Sequence, residues 1–213
     1  MLKRDEHGII IQEISYLPGY ADGGDSAFST GMMGLTGSEQ DLKFLHKFLV
    51  KVDLFRYRLV RHPYQAQHAN HKATSRDQLI AWAAGVSKAK REKLFMSDAL
   101  MFYAKGWRIN KDILLPHVKS YLYKCAGENP PLWLEVLAIP MHFFSILWDC
   151  YIKPNHEMNQ SICLASVRGK WWLRLLVNRH PDLYKNIYDY YYGWRMKDDI
   201  GERLINFVKM RVK

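Results

Sequence analysis

Asp22-Gly23-Gly24-Asp25-Ser26 sets two carboxylates three residues apart on a stretch that its glycines allow to turn tightly. Two such groups can divide into acid and base, chelate a hard cation, or hydrogen-bond sugar hydroxyls. The stretch is not an EF-hand, because the ligand ladder and the terminal Glu are missing. Nor is it a phosphate cradle, since no Gly-Lys-Ser/Thr follows. The plain alternative is an aspartate-rich turn in which Asp25 or Ser26 caps the next helical segment. Thr30-Gly31 stands just behind it, and Arg61-His62-Pro63 and Thr74-Ser75-Arg76-Asp77-Gln78 follow. Pro63 stiffens the backbone at His62. In the last motif Ser75 and Gln78 have the spacing of a capping box, and Asp77 suits the positive end of a helix dipole. Arg76 has no such explanation. Beside Asp77 it can bind a carboxylate or phosphate while the aspartate orients a hydroxyl or a water.

Other polar patterns are weaker. His62, His68 and His71 could ligate zinc or copper, but Pro63 and Asn70 interrupt the segment, no cysteine lies near, and no HExxH is present. No metal and no cofactor is assigned. Glu135, His142 and Asp149 recur every seven residues, so on a helix they form one stripe in an otherwise apolar stretch. That stripe either faces solvent, or lines a polar cleft shared with Asp25 and Asp77, or pairs with basic neighbours. Tyr184, Tyr188, Tyr190, Tyr191, Tyr192 and Trp194, with Trp171 and Trp172 upstream, are interleaved with Arg168, Lys170, Arg174, Arg179 and Arg195. They can stack sugars or bases, or pack helix on helix.

The elements that must position these groups are mostly helices. Gly8 to Ile11 reads as a short strand or extended arm, and Pro18 to Gly34 as a glycine-rich loop region. Helices are expected over 38–50, from Ser75 to a glycine cap at Gly85, and over 87–105, 116–125 and 132–152. More are expected over 157–167, 169–179, 182–192 and 198–212. Helix after helix with short connections predicts an all-α fold of antiparallel helical hairpins in layers, one domain over 1–213, with a short extended N-terminal arm. The segment 132–152 has the length of a bilayer span, but Glu135, His142, Asp149 and Pro140 make a core helix the better reading, so no membrane span is expected.

Composition bounds the partners. The chain has 213 residues and a formal charge of +10, with 31 Lys and Arg against 21 acids. A basic surface favours nucleic acid, anionic lipid or acidic polysaccharide. No RRM, KH, zinc-finger or helix-turn-helix signature supports sequence-specific recognition. Cys125, Cys150 and Cys163 are odd in number and form no CxxC, which fits a reducing cytoplasm better than a disulfide framework. The N-terminal residues do not read as a signal peptide.

The order Gly24-Asp25-Ser26, Thr30-Gly31, Arg61-His62-Pro63, Ser75-Arg76-Asp77-Gln78 resembles a pattern in uncharacterised phage and bacterial all-helical proteins. Those are loosely similar to the (α/α) toroids of polysaccharide lyases and glycoside hydrolases. The resemblance covers mainly residues 20–85, and an arginine expected two residues before Gly31 is Ser29 here. It implies a partial (α/α) toroid, a viral origin, and a place in the host cytoplasm or the virion. In the glycan-active reading Asp25, Asp77 and His62 are the catalytic residues. Arg76 helps to position an anionic substrate, and Asp22, Ser26, Arg61, Gln78, Glu135, His142 and Asp149 complete the binding residues. In the competing reading the protein is a non-enzymatic virion component or host-interaction protein. Its basic surface then contacts nucleic acid or other subunits, phage structural proteins among them.

Overall fold

The computed structural model describes residues 4–11, 25–53, 56–65, 74–90 and 93–151, with the side chains of 142 and 145–151 left aside. These hold six α-helices, α1 (Ser26–Leu35), α2 (Glu39–Phe44), α3 (Arg76–Val86), α4 (Lys93–Lys105), α5 (Pro116–Ala126) and α6 (Leu132–Tyr151). Two small antiparallel hairpins complete them, β1 (Leu49–Lys51) with β2 (Tyr57–Leu59) and β3 (Arg108–Ile109) with β4 (Asp112–Ile113). The described residues are helix-rich, as the sequence pattern predicts. The expected helices over 157–212 lie outside the described residues.

The core is built on α1 and α3. Every residue of α1 is buried, Ser26, Ser29 and Thr30 included, and so are ten of the eleven in α3. A helix without a solvent face belongs inside the packing rather than on it. The two helices approach to backbone contact: a Cβ on Gly31 would lie 2.3 Å from the Ala81 carbonyl oxygen, and one on Gly85 would lie 2.8 Å from that of Gly31. This contact explains two corrections. Pro18 to Gly34 was expected as a loop because Ser, Thr and Gly are poor helix formers, yet tertiary burial makes 26–35 a helix. Gly85 does not cap α3. It sits inside that helix, where its missing side chain admits Gly31.

Around this pair, polar tips of buried aromatics fasten the layers. The Trp82 indole donates to the Leu45 carbonyl (2.9 Å), and the Tyr121 hydroxyl donates to the Ile80 carbonyl (3.2 Å). The Tyr103 hydroxyl on α4 accepts the Leu59 N–H (2.8 Å), which ties β2 to that helix, and burial raises its pKa. The helix expected over 38–50 is shorter: α2 passes into a 3-10 turn at Leu45–Phe48, and 49–51 pairs as β1. The helix expected from 87 begins at Lys93 as α4.

Both hairpins escaped the helical pattern because their strands are only two or three residues long. α5 starts on Pro116 and ends at Gly127, whose φ of 91° is the left-handed cap position, with Glu128 N–H returning to the Tyr123 carbonyl. α6 buries Leu134 and Ala138, while Trp133, Val136, Leu137 and Phe144 are exposed. Among the described residues no helix is long and apolar enough to cross a membrane.

Candidate functional site

The glycine contact brings the N-terminal ends of α1 and α3 together, and with them much of the first-third motif set. Asp25 occupies the N-cap position of α1 and is 5% exposed. Its Oδ1 accepts from the Gln78 amide at 3.2 Å, and the Gln78 carbonyl oxygen accepts the Thr74 hydroxyl at 3.1 Å. Ser26 Oγ donates to the Ile10 carbonyl (2.6 Å), and the Ala27 N–H donates to the Arg61 carbonyl (3.0 Å). A buried carboxylate is tolerable only with donors around it, and the Gln78 amide is one of them. The capping-box reading of Ser75 and Gln78 is corrected by these bonds. Ser75 Oγ receives no helix N–H and instead donates to the Asp77 carboxylate, while Gln78 bridges two helices. Asp77 is 3% exposed.

His62 follows β2 and is fully buried. Its Nδ1 accepts the Tyr64 N–H (3.2 Å), and its Nε2 lies 3.0 Å from Asp5 Oδ2. Asp5 Oδ1 in turn accepts the N–H groups of His7 and Ile9. An aspartate behind a histidine is the arrangement that orients a general base, but the far nitrogen of this ring is spent on backbone. What the pair does in the fold is fix the N-terminal arm to the end of β2. Asp5 was not among the predicted residues. The Asp5-Glu6-His7-Gly8 turn, with Gly8 at φ 80°, was the available signal.

Arg76 points elsewhere. Its N–H donates to Asp112 Oδ2 (2.9 Å) and its guanidinium donates to the Ile113 carbonyl (3.1 Å), so it holds the β3–β4 hairpin against the start of α3. Glu135 lies between α6 and α5, accepting from Ser120 Oγ (2.9 Å) and pairing with Lys124 (2.9 Å). Asp22 and the side chains of His142 and Asp149 lie outside the described residues, as do His68, His71 and the aromatic run after Arg168. Asp25, Ser26, Arg61, Asp77 and Gln78 thus gather at one end of the α1–α3 pair. Arg76, His62 and Glu135 each serve a different junction.

His117, the second residue of α5, is 2% exposed. Burial foremost, and the Arg76 cation second, lower its pKa from 6.5 to about 4. The unfolded chain therefore takes up a proton between pH 6.5 and 4 that the folded chain refuses, so stability is full above that window and falls as the pH drops through it. The expected loss across the window is about 3 kcal/mol. Urea unfolding at neutral and mildly acid pH checks it, and His117→Gln is expected to flatten the slope by that amount.

The surface has a different character from these buried junctions. Lys43, Lys51, Arg56, Arg58, Lys90, Lys93, Lys105, Arg108 and Lys111 are exposed, against Glu6, Glu39, Asp98 and Glu128. Among the described residues exposed cations therefore outnumber exposed acids, and most of the acids are turned inward or paired. Among the described residues no three His, Cys, Asp or Glu side chains form a group that could hold a metal ion. The chain matches no family model, no curated protein and no solved structure.

Proposed function

We propose that this protein acts by binding, its basic surface contacting nucleic acid, rather than by turning over a glycan. The observation that carries the reading is the opposite placement of the two charge types. Asp25 and Asp77, the acids of the glycan-active reading, are buried and accept from Gln78 and Ser75, whereas among the described residues the exposed charge is predominantly cationic. General acid–base catalysis needs a carboxyl within reach of substrate, while phosphate binding needs displayed Lys and Arg. In the phage setting that the motif order implies, the polyanion is the genome, and the layered helical hairpins, as part of an (α/α) toroid, are its scaffold.

The discriminating experiment uses isosteric changes that the folded core accepts. Asp25→Asn keeps a carbonyl oxygen for the Gln78 amide, and Asp77→Asn keeps one for Ser75. Both variants are expected to bind a labelled oligonucleotide within about twofold of the parent, since neither side chain is displayed. Reducing-end and unsaturated-product assays on acidic and neutral polysaccharides are expected to show no turnover. Product released by the parent and lost in Asp25→Asn would establish the glycan-active reading instead.

A further inference from the structure

The segment Lys105-Gly106-Trp107-Arg108-Ile109-Asn110-Lys111-Asp112-Ile113 joins the end of α4 to the start of α5 through the β3–β4 hairpin. Arg108 pairs with Ile113, Ile109 pairs with Asp112, and the Trp107 carbonyl accepts the Leu114 N–H at 2.8 Å. Asn110 takes the turn at φ 51°, a conformation asparagine tolerates better than most residues. The base of the hairpin is fixed: Ile109 and Leu114 are buried, and Arg76 grips both Asp112 and the Ile113 carbonyl.

On this rigid base Trp107 is 59% exposed. A tryptophan with more than half its surface in water leaves a large apolar area that the fold does not cover. The Lys119 ammonium sits 3.8 Å from the ring centroid, so one region of the indole is backed by a cation and the exposed remainder is available. Lys119 itself is buried, and desolvation lowers its pKa. Lys105, Arg108 and Lys111 are all exposed within four residues of Trp107, and Phe102, 52% exposed, lies one helical turn before Lys105. The acid of the segment, Asp112, is engaged by the Arg76 N–H.

We infer that the Trp107 hairpin is a stacking platform for single-stranded nucleic acid, with an unpaired base on the indole and phosphates on Lys105, Arg108 and Lys111. The inference rests on the nucleic-acid reading above and names the strand form and the contact point. Aromatics interleaved with cations suit a single strand because its bases have open faces, whereas duplex bases are already stacked on one another. Charge selects against a neutral sugar, which would stack on the same ring without using the cations.

The test is fluorescence anisotropy of the full chain with a labelled single-stranded oligonucleotide, the matching duplex, and cellohexaose as competitor. Trp107→Ala is expected to weaken single-strand binding about tenfold and leave duplex binding within about twofold. Trp107→Phe, which keeps an aromatic face, is expected to retain most of the affinity and guards against a folding defect. Arg108→Ala is expected to weaken both forms and to lower the salt slope by about one phosphate contact. Equal loss for both strand forms, no loss in Trp107→Ala, or displacement by cellohexaose overturns the platform while leaving the nucleic-acid reading standing. Absence of any oligonucleotide binding overturns the broader reading and this one with it.

Discussion

Gly31→Ala is expected to destabilise the protein by about 3 kcal/mol, at the upper end of what overpacking costs. The added methyl would stand 2.3 Å from the Ala81 carbonyl oxygen, 2.5 Å from its carbon and 2.7 Å from Trp82 Cα. All three are backbone atoms in the middle of α3, so no side-chain rotation relieves the contact and the helices must separate. Separation disturbs what the contact holds together: the Gln78–Asp25 bond at one end and the Trp82–Leu45 bond farther along. Gly106→Ala is the control, because its nearest neighbour, the Tyr103 carbonyl oxygen, is an ordinary 3.4 Å away. The urea midpoint reads the difference. A Gly31→Ala protein that unfolds with the parent would mean that α1 and α3 do not cross at backbone distance.

Arg4→Met is expected to cost about 3 kcal/mol, by stranding a buried carboxylate. Asp41 has no solvent exposure, and both its oxygens are met by the Arg4 fork at 2.9 Å, with the Ser38 hydroxyl as a further donor. The Asp41 hydrogen bond in turn raises the pKa of Arg4. Arg4 also donates to the Gly8 carbonyl (2.7 Å), so the same guanidinium closes the N-terminal turn and fixes it to α2. Its 24% side-chain exposure lets water reach the edge of the pair, which keeps the expected loss at the lower end for a broken buried pair. Arg4→Lys preserves the charge but not the two-pronged geometry and is expected to recover about half. Thermal and urea unfolding of both variants decide the matter. Equal stability of parent and Arg4→Met would mean that Asp41 has solvent or another cation beside it.

What was legible in the sequence depended on whether a local pattern had a local cause. α5 and α6 carry apolar periodicity over several turns, and Pro116 and Gly127 punctuate α5, so both were found nearly to the residue. α1 was missed because its reason is not local. Ser-Ala-Phe-Ser-Thr-Gly reads as a loop until Gly31 and Gly85 are seen to meet, and two glycines 54 positions apart give no sign of that contact. A similar separation, 53 positions, hid the partner of Gln78, which was read as a local cap and instead reaches Asp25.

Among candidate site residues, clustering of Asp25, Ser26, Arg61, Asp77 and Gln78 at one end of a helix pair follows from that contact. Their burial does not follow from composition. The Trp107 hairpin was overlooked for a different reason. Its aromatic and basic residues occupy a stretch too short to register beside the longer run after Arg168, and only its exposed position on a fixed base separates it from ordinary packing.

The most direct test of the nucleic-acid reading is the affinity of the full chain for a single-stranded oligonucleotide as a function of salt. If Lys105, Arg108 and Lys111 each neutralise one phosphate, log affinity falls against log salt with a slope of about −2, a loss of about twentyfold between about 50 and 200 mM. That slope, with measurable binding at the low end, is the result expected where exposed Lys and Arg outnumber exposed acids. Binding that is absent at low salt, or that does not change with salt, would contradict it.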